Sequence, residues 1–109
     1  MLILFDHGTP KGLIPALAGH EIVTAQGRGW DKLDNGALLN AAEDAGVELL
    51  LTTDGRIRYQ QNLARRKIAL VVLTGTTKWS SVRLHFQRIA AAVDAARPGS
   101  YTEIDIPFS

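Results

Sequence analysis

Cysteine is absent from this chain of 109 residues, and it holds one methionine, four prolines and few aromatics (6%). Without cysteine there is no disulfide scaffold, no thiol nucleophile and no cysteine-ligated zinc or iron–sulfur centre. Long apolar runs are missing too: those around Val71–Leu73 and Leu49–Leu51 fall far short of a membrane span. The opening MLILFDHG has no basic start and meets Asp6 early, unlike a signal peptide. The expected location is the cytoplasm, with no membrane partner. Repeats, low-complexity tracts and linkers are also lacking.

With 46% apolar and 21% charged residues, the composition is that of a globular protein and excludes a disordered one. The length suits one domain, residues 1–109, able to bury a core of modest stability. A net charge of +1 hides an asymmetry. Residues 1–54 carry eight acids against three bases, whereas residues 55–109 carry nine bases against Asp94, Glu103 and Asp105. Arg56, Arg58, Arg65, Arg66 and Lys67 follow one another with no acid between them. Such a stretch suits a polyanion such as RNA, and equally a solvated helix face.

Leu2–Phe5 reads as a strand buried on both faces, closed by the turn Asp6-His7-Gly8. Thr9 and Pro10 suit the cap and first position of a helix carrying Leu13, Ile14 and Leu17. Glu21–Ala25 is a second strand, and a Gly-rich loop leads from it to a helix over Gly36–Ala45, with Asn35 as cap and Gly46 as stop. Val47–Leu51 and Ile68–Leu73 are further strands, separated by a helix over Ile57–Ala64 that carries Tyr59 and Leu63 on one side. Trp79, Val82, Phe86, Ile89 and Val93 have the 3,4,3,4 spacing of one amphipathic helix. Tyr101–Ile106 alternates as an edge strand does. Regular alternation of strands and helices predicts a three-layer α/β/α domain on a mainly parallel sheet of about five strands.

Ligands of such sheets bind beyond the carboxyl ends of the strands, where strand order reverses. Asp6 and Asp54 follow the first and third strands, and Asp31, Asp34 and Asn35 precede the second helix. Carboxylates converging on one edge repel unless a cation lies between them, and hard oxygen donors suit Mg²⁺ or Mn²⁺. Each residue has a structural reading as well: Asp6 as a turn cap, Asp54 as turn chemistry, Asn35 as a helix cap, Asp31 and Asp34 as solvated loop. Trp30 and Tyr59 offer stacking faces, although Tyr59 is expected in the core. The amides Gln60, Gln61 and Asn62 suit base reading, a partner surface or plain solvent.

The segments FDHGTPKGL, WDKLDNGALLNAAEDAG and VELLLTTDGRIRYQQNLARRKIALVVL together resemble the small PIN-like domains of bacterial toxin–antitoxin operons. The resemblance covers about the first 75 residues well and the rest weakly. It implies an α/β/α PIN-like fold, Mg²⁺- or Mn²⁺-dependent hydrolysis of RNA, a cognate antitoxin protein and a tendency to homodimerise. The family's catalytic and metal-binding acids fall on Asp6 and Asp54, with a supporting threonine on Thr53 or Thr52. The helix-start acid falls on Asn35, an amide where the family has a charge, with Asp34 beside it as a substitute ligand. A fourth acid, at the end of the fourth strand, is replaced by Thr74-Gly75-Thr76. These departures leave open a catalytically weakened binding module. A receiver-type phosphoacceptor domain is a further alternative, but it wants two adjacent acids after the first strand and a lysine after the fifth.

Overall fold

The computed structural model describes residues 1–60 and 63–108. Five strands, β1 (Leu2–Phe5), β2 (Glu21–Thr24), β3 (Leu49–Thr52), β4 (Ala69–Gly75) and β5 (Tyr101–Ile106), form one sheet in the order β2-β1-β3-β4-β5. Every pairing is parallel, so the sheet is wholly rather than mainly parallel. Its central strands β3 and β4 are apolar up to their carboxyl ends, where Thr52 and Thr74 stand, because both faces are covered. Ile3, Phe5, Leu49, Leu51, Val71 and Leu73 pack on one side with Ile89 and Val93. Leu4, Leu50, Leu70 and Val72 pack on the other with Leu38, Leu39 and Ile57. This is the expected three-layer α/β/α architecture. The edge strand β5 alternates as expected, with Ile104 and Ile106 buried and Glu103 and Asp105 exposed. No helix of the described residues is long and apolar enough to cross a membrane.

Several local expectations are corrected. Lys11–Leu17 is a 3₁₀ helix, with Pro10 rather than Thr9 at its start. The buried Thr9 hydroxyl instead donates to the Leu51 carbonyl at 2.9 Å, tying this segment to β3. Helix α1 spans Asn35–Asp44, and its cap is Asp34, whose Oδ1 accepts the Ala37 N–H at 2.8 Å. Asn35 is therefore the first helical residue, and its side chain is released from capping. Gly46, at φ 82°, ends the helix as expected of a left-handed stop.

Helix α2 is described over Ile57–Gln60, and of the rest of the expected Ile57–Ala64 the described residues Leu63 and Ala64 are not helical. Ile57 is buried, while Tyr59 is 81% exposed and so is no core residue. Gln61 and Asn62 lie outside the described residues. The single helix expected from Trp79 to Val93 is divided into α3 (Trp79–Val82), a 3₁₀ turn over Arg83–His85, and α4 (Phe86–Ala95). Three residues wound at three per turn advance the face by about 60° beyond α-helical phase. Val82, Ile89 and Val93 stay buried, whereas Phe86 is 45% and Trp79 42% exposed. Trp79 lies over Gly12, where an added Cβ would sit 2.5 Å from its ring, so that approach needs a glycine.

Candidate functional site

The chain leaves β1 toward β2 on one side, and β3 lies on the other, so strand order reverses between β1 and β3. Phe5 pairs with Leu51, which puts Asp6 level with Thr52 at the carboxyl end of both strands. Thr52 is fully buried. Its hydroxyl donates to Asp6 Oδ2 at 2.8 Å and accepts the Asp54 N–H at 3.1 Å. One hydroxyl thus ties the Asp6 carboxylate to the backbone of Asp54. Of the two candidate threonines, Thr52 is the one bonded to both residues, because Leu50 and Thr52 share the sheet face toward which Asp6 continues from Leu4. Asp6 Oδ1 also accepts the His7 N–H at 2.7 Å.

Asp54 has a dense shell of donors. Its Oδ1 accepts the Arg56 N–H at 3.0 Å and the Arg56 Nε–H at 3.1 Å. Its Oδ2 accepts Asn35 Nδ2 at 3.1 Å and an Arg56 terminal nitrogen at 3.4 Å. The Arg56 side-chain hydrogen bonds hold the Asp54 carboxyl below its ordinary range; partial burial opposes this, and Asn35 adds to the lowering. Asn35 therefore does reach the site, from the first turn of α1, as a partner of Asp54. Asp34 is spent on the cap, and Asp31 is exposed in the preceding loop.

The basic stretch does not form one continuous surface. Arg56 faces Asp54. Arg58 lies 4.0 Å from Glu103 and over the rings of Tyr59 and Tyr101, on the β5 side. Arg66 is half-buried against α1, bonded to Glu43 and Asn40. Arg65 and Lys67 are exposed. A further carboxylate stands one strand beyond β4: Thr74 donates to Asp105 Oδ1 at 3.3 Å. The pairing Thr74–Asp105 places this carboxylate at the carboxyl end of β5, a position that strand alternation had marked only as exposed.

Among the described residues, no three acidic or histidine side chains gather as a metal-holding group. The donors at hand are two carboxylates, the Asn35 amide and the Thr52 hydroxyl. This set fits Mg²⁺ or Mn²⁺, which binds through one or two carboxylates and completes its shell with water and substrate phosphate. A shallow cleft of about 50 Å³ opens beside Asp6, His7 and Lys11. A larger cavity, about 500 Å³, lies at the opposite edge of the sheet near Met1, Val47 and Ile68, away from these acids. No family model, curated protein or solved structure matches the chain.

Proposed function

We propose that the protein is a PIN-like, Mg²⁺- or Mn²⁺-dependent ribonuclease, acting in the cytoplasm as the toxin of a toxin–antitoxin pair. The observation that carries this reading is the Asp6–Thr52–Asp54 link across the switch point of the sheet. Asp6 and Asp54 would hold the ion, Thr52 ties the Asp6 carboxylate to the Asp54 backbone, and Asn35 orients the Asp54 carboxylate from the helix start. The bound ion supplies Lewis-acid activation of water and charge neutralisation at the phosphodiester. The RNA substrate crosses the same edge, with Arg56 nearest to the acids and Arg65 exposed further along. An antitoxin protein and a second copy of the chain are the partners that the resemblance adds.

Thermal unfolding with Mn²⁺, paired with cleavage of single-stranded RNA, tests the proposal on wild type, Asp6→Asn and Asp54→Asn. A ligand that binds only the folded state raises the midpoint, so wild type shifts upward and cuts RNA, and each variant loses both effects. A folded wild type that ignores saturating Mn²⁺ and leaves RNA intact overturns the reading. A second reading, the binding module without catalysis, is favoured by the four donors already on Asp54. It expects RNA or partner binding with no cleavage. The receiver-type reading finds Ile106-Pro107 where its lysine belongs and a lone acid after β1.

A further inference from the structure

Asp54 accepts from four donors, and a carboxylate has about four lone-pair sites. A divalent cation reaching this carboxylate has to displace one of them. The donors are not equally held. The Arg56 N–H belongs to the turn after β3 and cannot leave without refolding that turn. Asn35 is half-buried at the start of α1. The Arg56 side chain is 78% exposed and makes the longest of the four contacts, 3.4 Å. It can swing out by side-chain rotation alone, and ion pairs this exposed are the weakest kind. The neighbouring cations are placed differently: Arg58 is bonded toward Glu103 and the tyrosine rings, and Arg66 is bonded to Glu43.

We infer that Arg56 is a built-in counter-cation of the candidate metal site. It neutralises Asp54 while no divalent ion is bound, yields the carboxylate when one binds, and is thereby released to meet a phosphate of the substrate. Counting Asp6, Asp54 and Arg56, the edge goes from one net negative charge without the ion to one net positive charge with it, which a substrate phosphate then balances. It also couples metal and substrate, since the metal frees the guanidinium that the phosphate needs. This inference rests on the proposed metal site and adds a role that the basic stretch as a whole does not have.

Calorimetric titration with Mn²⁺ alone tests it. Arg56→Gln binds Mn²⁺ about two- to fivefold tighter than wild type, the range expected for losing a competing exposed ion pair. Arg56→Lys keeps the charge without the planar fork and falls between the two. Arg65→Gln makes the same charge change away from Asp54 and leaves the affinity as in wild type. In ¹H–¹⁵N spectra, the Arg56 Nε–H resonance, identified by its loss in Arg56→Lys, moves when Mg²⁺ saturates the protein. Unchanged or weaker Mn²⁺ binding in Arg56→Gln, an equal gain in Arg65→Gln, or an unmoved resonance overturns the inference while the metal site stands. Absence of Mn²⁺ binding in both wild type and Arg56→Gln overturns the metal reading and this inference with it.

Discussion

Replacing Thr52 by valine isolates the link between the two acids, because the exchange keeps the side chain's shape and removes its only polar atom. Two hydrogen bonds disappear, one donated to Asp6 and one accepted from the Asp54 N–H. A bond to a charged group is worth about 1.5–3 kcal/mol, and a buried N–H left without a partner costs about 1–3 kcal/mol. Both partners are only part-buried, so water recovers some of the loss, and a net cost of about 2 kcal/mol is expected. For a domain near 100 residues this lowers the thermal midpoint by about 8 °C. Thr52→Ser is the control: it keeps the hydroxyl and deletes one buried methyl, at about 1 kcal/mol. Urea or thermal unfolding ranks the three proteins, and Mn²⁺ titration follows the site itself. Valine should weaken Mn²⁺ binding and serine should not. If valine proves no costlier than serine, or both bind Mn²⁺ alike, Thr52 does not organise the acids and the argument for the site loses its frame.

Two further outcomes follow from burial and charge. Ile89→Ala should cost about 2–5 kcal/mol, as usual for a fully buried aliphatic. Phe86→Ala should cost less than Ile89→Ala because Phe86 is exposed and Ile89 fully buried; chemical denaturation that reverses this order would restore the continuous helix the spacing predicts. The pH dependence has a definite sign. Asp54 has a lowered carboxyl pKa in the folded state, so its contribution to stability is complete above the unfolded carboxylate value and disappears as pH falls through the lowered folded one. Asp54→Asn should therefore flatten the stability profile in the acid limb, below about pH 4, and an acid limb identical to wild type would show that Arg56 does not stabilise the charged form.

The apolar runs made the layers legible. Leu2–Phe5, Leu49–Leu51 and Ile68–Leu73 have no polar residue to turn toward water, and only a sheet covered on both faces suits them. Helix phase was less legible. A 3,4,3,4 spacing describes an unbroken α-helix, and no glycine or proline marks the 3₁₀ turn at Arg83–His85. The start of α1 was ambiguous for another reason: aspartate and asparagine cap about equally well. The outcome, Asp34 capping and Asn35 facing Asp54, involves a partner 19 residues away that local propensity does not see.

The basic stretch and the acids differ for one reason, the difference between neighbours along the chain and neighbours across the sheet. Arg56, Arg58 and Arg66 lie within eleven residues, yet their acidic partners come from the end of β3, from β5 and from α1. Charge density along the chain therefore overstated charge density in space. Asp6 and Asp54 are far apart in sequence, yet each follows a parallel strand, and adjacent parallel strands deliver their carboxyl ends to one edge. The same rule decides between the two threonines. Once Phe5 is paired with Leu51, Asp6 is level with Thr52, and strand alternation turns Thr52 to the face that Asp6 continues, leaving Thr53 outside the link. The acids are legible from strand ends alone; the hydroxyl that joins them becomes legible only with the register.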